Sequence, residues 1–272
     1  MIMQLSDNRY FGVLFLIPIL LAFFLGGVYL HIVVSIMGLR ALYEFYTVVA
    51  KKSTKPLDMV GYAFGILLFS LLYTAPSDLK TMAILTILIT VTALAISVFH
   101  REYNFIDASI TVAGFIYTCV FFALILLIYA MPNGNWYIFA IFTTSWISDT
   151  CAYYTGRKLG KHKLIPEVSP KKTVEGAIGG LIGGAVFTLI LGLSLYNTIP
   201  GIMHPIHFLI MGLIGSVLSQ VGDLIASAIK RDCGVKDYPK LIPGHGGVLD
   251  RFDSVLFSAV SIFIYLTVFL GY

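Results

Sequence analysis

Apolar runs long enough to cross a lipid bilayer recur along this chain, and they constrain its fold more than any other feature. A helix needs about 20 predominantly apolar residues to cross a hydrocarbon core about 30 Å thick. Only helices and closed barrels satisfy their backbone hydrogen bonds in lipid, and these runs are continuous rather than alternating. At 58% hydrophobic and 12% charged, the 272 residues are too apolar for an ordinary soluble domain. The sequence therefore predicts an all-α polytopic membrane protein.

The apolar runs predict about nine transmembrane helices. Their approximate ranges are 10–26, 28–49, 57–75, 79–99, 106–130, 136–155, 174–195, 206–229 and 254–272. No small-residue cleavage site follows the first run, so we interpret it as a retained helix rather than a signal peptide. The two longest polar connections, 156–173 and 230–253, both lie in the C-terminal half. We therefore expect N-terminal transmembrane helices at 1–135 and a C-terminal catalytic transmembrane domain at 136–272.

The distribution of positive charge predicts the orientation of these helices. Of the 18 Lys and Arg residues, 16 fall in the N-terminal tail or in the loops after the even-numbered helices. Because Lys and Arg are enriched in cytoplasmic loops, we expect a cytoplasmic N-terminus and two long cytoplasmic loops that form the site. The expected location is the cell (inner) membrane, as a multi-pass protein.

The segment from Ser227 to Asp253 concentrates the polar chemistry of the chain. Nine of its 27 residues are Lys, Arg or Asp. Glycines without a Cβ let backbone N–H groups approach a phosphate closely, although a mobile loop tip is the ordinary explanation of such a string. The glycine loop comprises Gly244, His245, Gly246 and Gly247. The cations expected to bind phosphate are Lys230, Arg231, Lys236 and Arg251, and contact with anionic headgroups is their alternative role.

Carboxylates inside apolar helices are the second polar signal, because an ionisable group exposed to lipid is costly. Asp149 and Asp223 lie near the ends of the sixth and eighth predicted helices, with Tyr153 and Ser227 four residues later on the same faces. Mg²⁺ prefers one or two carboxylates plus phosphate oxygens and waters. We expect Asp223 and Asp250 to hold the metal, with Asp149 as a further candidate. Pairing with a neighbouring Lys, or capping a helix, is the alternative for each.

The other long loop ends in Ser169-Pro170-Lys171-Lys172. Ser169 is expected to cap the next helix, with Pro170 at its first helical position. Lys171 and Lys172 would then flank a helix N-terminus, which favours anions. Since lysines there oppose the helix dipole, a bound polyphosphate would remove the conflict.

Two further patterns have structural interpretations. Arg40 and Glu44 are four residues apart in the second predicted helix and can neutralise each other. A small-xxx-small pattern in the seventh predicted helix favours close helix packing, and a subunit interface, hence a homodimer, stays an open alternative. Its glycines are Gly176, Gly179, Gly180, Gly183 and Gly184.

Together these residues resemble the phosphatidate cytidylyltransferases, also called CDP-diacylglycerol synthases. The resemblance covers about residues 145–255, and one departure is Pro239, where that family usually carries a small residue. The matching patterns are Asp149-x2-Ala152-Tyr153-x2-Gly156-Arg157, Ser169-Pro170-Lys171-Lys172-Thr173-x-Glu175-Gly176, Ser227-x2-Lys230-Arg231-x4-Lys236-Asp237 and Pro243-x-His245-Gly246-Gly247-x2-Asp250-Arg251-x-Asp253.

The resemblance implies transfer of the cytidylyl group of CTP to phosphatidic acid, giving CDP-diacylglycerol and pyrophosphate, with Mg²⁺ and an open number of metal ions. A lipid phosphate is already anionic near neutral pH and can attack the α-phosphorus directly. The protein then positions the reactants and neutralises charge. The residues expected at the reacting groups are Asp223, Asp250, Lys230, Arg231 and Lys236. The residues expected to bind substrate are Ser169, Lys171, Lys172, Tyr153, Ser227, Arg251 and the glycine loop.

Two other functions remain open at this point. A CTP-dependent lipid-alcohol kinase would release CDP instead of pyrophosphate. A transporter would use Asp149 and Asp223 as an ion path, although transporters often show inverted repeats and none is visible here. No nucleic acid partner is expected, and the lipid bilayer is itself a partner.

Overall fold

The computed structural model describes residues 19, 21–75, 79–240 and 246–272, which are predominantly α-helical. In the N-terminal half, α1 is Gly27–Val49, followed by a 3₁₀ turn at Ala50–Lys52, α2 is Asp58–Thr74 and α3 is Leu79–Phe99. Next come α4 (Phe105–Phe115), a π-helical turn (Ile116–Val120) and α5 (Phe121–Ala130). A second interrupted helix consists of α6 (Gly134–Phe142), a π-helical turn (Thr143–Ile147) and α7 (Ser148–Leu159). The last helices are α8 (Val174–Tyr196), α9 (Pro205–Asp232) and α10 (Leu249–Ile264), with a π-helical turn at Tyr265–Phe269.

The prediction of an all-α polytopic membrane protein is confirmed. Within the described residues, six helical segments are long and apolar enough to span a membrane, and α2 is a shorter apolar helix. The six segments are Gly27–Lys52, Leu79–Phe99, Phe105–Ala130, Val174–Tyr196, Pro205–Asp232 and Leu249–Phe269. The first predicted helix lies largely outside the described residues, and the total of about nine transmembrane helices stays a prediction.

Both long polar loops are shorter than predicted. α7 extends to Leu159, α9 extends to Asp232, and α10 begins at Leu249 rather than near residue 254. Lys230, Asp250 and their neighbours are therefore helical.

The chain forms two compact units. The first contains the described residues up to Leu126 together with Asp232–Arg251, and the second contains Leu127–Arg231 and Phe252–Tyr272. The expected division at residues 135 and 136 differs from these units chiefly because Asp232–Arg251 groups with the N-terminal helices. Each unit has its own apolar core. Fully buried members are Leu30, Leu42, Leu68 and Phe115 in the first unit, and Phe208, Val255, Leu256 and Ile262 in the second.

The connection between α7 and α8 forms a β-hairpin rather than the start of a helix. β1 (Lys163–Ile165) pairs antiparallel with β2 (Ser169–Thr173), and Ser169 lies opposite Ile165. The prediction that Ser169 caps the next helix with Pro170 at its first position is therefore wrong. A residue before proline favours extended backbone, which suits the strand. The actual cap is Thr173, whose hydroxyl oxygen accepts a hydrogen bond from the Gly176 N–H at 3.1 Å.

α7 and α8 approach each other closely through small residues, as the glycine pattern predicted. A Cβ on Gly180 would lie 2.9 Å from the Ala152 Cβ and 3.0 Å from the Ser148 carbonyl oxygen, and one on Gly183 would collide with Cys151. The Ser148 hydroxyl also donates a hydrogen bond to the Gly180 carbonyl at 3.0 Å. Because these glycines pack within one chain, they provide no support for a homodimer.

We expect Gly180→Val to destabilise the protein by about 1–3 kcal/mol, because the larger side chain would collide with the backbone of α7, which is held in its helix. The measurement is the thermal midpoint of the detergent-solubilised protein. Ile182→Val on the same helix is the matched control, since Ile182 is exposed and its replacement should change stability by less than about 0.5 kcal/mol. Equal midpoints for the two variants would contradict the proposed close contact.

Candidate functional site

A cavity of about 410 Å³ in the second unit brings together five of the residues predicted from the sequence, namely Asp149, Tyr153, Lys171, Lys172 and Asp223. Its walls come from α7, the β-hairpin, α8 and α9. The complete lining is Asp149, Ala152, Tyr153, Gly156, Arg157, Leu164, Lys171, Lys172, Thr173, Gly176, Ala177, Gln220 and Asp223. The cavity therefore combines carboxylates, cations and small residues on one surface.

Helical periodicity explains which residues of α7 and α9 reach the cavity. Asp149, Tyr153 and Gly156 follow an i, i+4, i+7 spacing on α7, and all three line it. On α9, Gln220 lies one turn before Asp223. The Gln220 side-chain amide donates a hydrogen bond to the Ala177 carbonyl at 3.1 Å, which ties α9 to α8 beside the cavity.

An ion pair between Lys172 and Asp223 lies in the cavity wall. Lys172 Nζ is 2.6 Å from Asp223 Oδ2, and the side chains are 25% and 30% exposed. The Ser227 hydroxyl donates to the other carboxylate oxygen at 3.4 Å. The pair is partly shielded from water, so removing one partner leaves the other charge poorly solvated. The Lys172 ammonium nitrogen is itself buried, although both side chains are partly exposed.

Asp149 belongs to the same electrostatic group. Its carboxylate accepts a hydrogen bond from the Ser254 side chain and interacts electrostatically with Asp223 and Lys172. The sequence placed Asp149 and Asp223 on separate predicted helices, and the structure brings them to one cavity.

Asp253 is a further member that we did not select from the sequence. It is buried, at 6% exposure, and interacts electrostatically with Asp223, Asp149 and Lys230. Lys230 is also buried, at 8% exposure. Asp253 was part of the matching pattern. Because the last helix was predicted to begin at residue 254, Asp253 was assigned to the preceding loop and not to a helix. Arg157 and Gln220 are two other cavity residues that we did not select.

Two carboxylates of this group can serve a divalent cation. Asp149 and Asp223 line the cavity, whereas Asp253 is buried and interacts with Lys230. Among the residues that the structure describes, no group of three or more His, Cys, Asp or Glu is arranged to hold a metal ion. Mg²⁺ does not require such a cage, because it takes one or two carboxylates and completes its shell with phosphate oxygens and waters. Asp149 and Asp223 at the cavity meet that requirement.

Other predicted site residues have different surroundings. Ser169 does not line the cavity, and Arg231 is exposed near the end of α9. Gly244 and His245 lie outside the described residues. In the first unit, Lys236 and Arg251 are exposed.

Asp250 organises the backbone of the first unit around the start of α10. Its Oδ2 accepts hydrogen bonds from the Tyr238 N–H at 2.9 Å and the Gly247 N–H at 3.0 Å. Gly246 has φ +75°, a left-handed conformation that favours glycine, and a Cβ there would lie 2.8 Å from Asp250 Oδ2. Gly246 and Gly247 thus allow the chain to fold tightly around a carboxylate.

Comparison with known proteins gives the family. The model of the cytidylyltransferase family matches residues 8–269. A phosphatidate cytidylyltransferase of Staphylococcus saprophyticus is 35% identical over 250 residues, which cover 89% of this chain and 90% of the relative. One of Staphylococcus aureus is 34% identical over 243 residues, with 89% and 90% covered. One of Bacillus subtilis is 45% identical over 136 residues, with 50% and 49% covered. The chain therefore belongs to the cytidylyltransferase family.

Proposed function

We propose that the protein transfers the cytidylyl group of CTP to phosphatidic acid, producing CDP-diacylglycerol and pyrophosphate. The cavity of the second unit carries the proposal, because Arg157, Lys171 and Lys172 share its surface with Asp149 and Asp223. Cations of this kind bind phosphates, and carboxylates of this kind hold a divalent ion that phosphates also bind. Relatives matched over nine-tenths of their length bear the name of this reaction.

The reaction requires little covalent help from the protein. A non-bridging oxygen of the lipid phosphate attacks the α-phosphorus of CTP and forms a new P–O bond. The bond from that phosphorus to the oxygen leading to the β-phosphorus breaks, and pyrophosphate leaves with the electron pair. Because the lipid phosphate is already ionised near neutral pH, no general base is needed. The protein contributes alignment of the reactants and neutralisation of the departing charge.

The charged residues of the cavity each have a role in this proposal. Lys171, Lys172 and Arg157 bind the phosphates and oppose the charge that develops on pyrophosphate. Asp149 and Asp223 are the side chains that would hold Mg²⁺, which supplies charge neutralisation at the phosphates when bound. A second metal ion stays a prediction. So do the roles of Asp250, Lys236, Arg251 and the glycine loop.

We infer that the cavity opens on the cytoplasmic side of the cell membrane, where CTP is available. The concentration of positive residues in alternate loops supports this orientation. The bilayer supplies the second substrate.

The first test is pyrophosphate release by the purified, detergent-solubilised protein given CTP, phosphatidic acid and Mg²⁺. Release that requires all three components supports the proposal. Release of CDP in place of pyrophosphate would favour the lipid-alcohol kinase, and nucleotide-independent ion flux in liposomes would favour a transporter.

We expect Asp223→Asn to lower turnover on the order of 100- to 1,000-fold, because it removes the charge that holds Lys172 and the cation. Turnover is measured per folded molecule. Asp232→Asn is the matched control. Asp232 also pairs with a lysine, Lys52, at 2.6 Å, but this pair is exposed, with side chains 55% and 63% accessible. The control should keep nearly parental activity, since exposed pairs contribute little. Full activity of Asp223→Asn would remove Asp223 from the site.

Chelation of divalent cations should abolish pyrophosphate release, and added Mg²⁺ should restore it, because Asp149 and Asp223 would hold the ion that neutralises the nucleotide phosphates. The assay is run before and after EDTA treatment and readdition. Circular dichroism of the same samples shows whether the helices survive. Undiminished turnover after complete chelation would exclude a required divalent ion.

A further inference from the structure

Glu44 on α1 caps a helix that begins 205 residues later in the chain. Its side chain is fully buried. One carboxylate oxygen accepts from the Val248 N–H at 2.9 Å, and the other accepts from the Leu249 N–H at 2.8 Å. Leu249 is the first residue of α10, so these are N–H groups that a helix leaves without intrahelical partners. A negative charge at this helix end is also favourable to the helix dipole.

Arg40 extends this contact to the preceding part of the same loop. Its Nε donates to Glu44 at 3.0 Å, and its Nη2 donates to the Pro239 carbonyl oxygen at 3.3 Å. One guanidinium therefore joins the buried carboxylate to residue 239, while the carboxylate holds residues 248 and 249. The predicted pairing of Arg40 with Glu44 is confirmed, but the pair does more than neutralise itself.

The glycine before α10 fits against this carboxylate. A Cβ on Gly247 would collide with Glu44 Oε2, so a larger residue would displace the side chain. From the other side, Asp250 accepts from the N–H groups of Gly247 and Tyr238. Two carboxylates thus bind the consecutive N–H groups of residues 247, 248 and 249. We call residues 246–250 the lead-in segment of α10.

We propose that Arg40 and Glu44 form a positioning pair that sets the backbone of the lead-in segment and thereby the placement of Asp250 and Arg251. Burying a carboxylate is costly, and an isolated salt bridge recovers that cost poorly. Here the charge gains two backbone hydrogen bonds in addition to the arginine, all directed at one segment. Its effect on turnover rests on the proposed function, whereas its effect on the backbone does not.

The backbone effect is tested by hydrogen–deuterium exchange on the full-length protein in detergent. In Glu44→Gln an amide NH₂ replaces one acceptor oxygen and faces a backbone N–H. We expect exchange at Val248 and Leu249 to accelerate about 10- to 100-fold, which corresponds to losing a hydrogen bond to a charged group. Exchange in the middle of α1 should stay at the parental rate.

Turnover is the second measurement on the same variant. Displacement of the lead-in segment should lower kcat per folded molecule by about 10- to 100-fold. KM for CTP should rise as well, because Gly246, Gly247 and the adjoining Arg251 are predicted to bind substrate. A role in folding alone would reduce the amount of folded enzyme and leave kcat per folded molecule unchanged.

A control and a second variant separate the outcomes. Ser35→Ala removes another polar group of α1, whose hydroxyl donates to the His31 carbonyl one turn earlier at 2.7 Å, and it should match the parent in exchange and kcat. Arg40→Lys keeps the charge but lacks the planar guanidinium that donates to Glu44 and Pro239 at the same time. We therefore expect a smaller loss of kcat in the same direction. It also provides the test if Glu44→Gln does not fold.

Parental exchange at Val248 and Leu249 in Glu44→Gln, or parental kcat in both variants, would overturn the positioning role. If the unsubstituted protein itself releases no pyrophosphate, the proposed function fails, and the exchange result still decides whether the pair holds the lead-in segment.

Discussion

The close approach of α7 to α8 is the interaction on which the candidate site depends. Small residues let two helix backbones approach closely, and the helices then gain tight van der Waals contact. Gly180 and Gly183 permit that contact because they place almost nothing between the two backbones. Asp149 lies on α7 and Lys172 lies just before α8, so both reach one cavity when these helices pack. Small residues without chemistry of their own thus determine where the charged residues meet.

Several charged side chains of the second unit are shielded from water, and polar neighbours limit the free-energy cost of burying them. Asp253 and Lys230 are both buried, and they interact with each other. Asp149 gains a hydrogen bond from Ser254, and Asp223 gains Lys172 and Ser227. Each ionised group therefore has polar neighbours in place of water, as buried charges require.

Local patterns predicted most of the helices and the α7 stripe because an apolar run or an i, i+4 spacing depends only on nearby residues. The errors arose where distant contacts decide the structure. Ser169 reads as a cap in isolation, yet its pairing with Ile165 makes it part of a strand. α10 begins earlier than its apolar stretch suggests, because Glu44, far away in the sequence, satisfies the N–H groups of its polar first turn. No periodicity in the sequence reports a contact of that range.

The pairing of Lys172 with Asp223 has a thermodynamic consequence for the proposed reaction. A phosphate that binds Lys172 competes with Asp223, and a cation that binds Asp223 competes with Lys172. Each ligand therefore releases the group that the other one needs, and the two ligands also attract each other directly. Linkage requires that the nucleotide raise the affinity for the cation by the same factor by which the cation raises the affinity for the nucleotide. Under the proposed function, the ion pair would therefore favour binding of metal and nucleotide together over binding of either one alone.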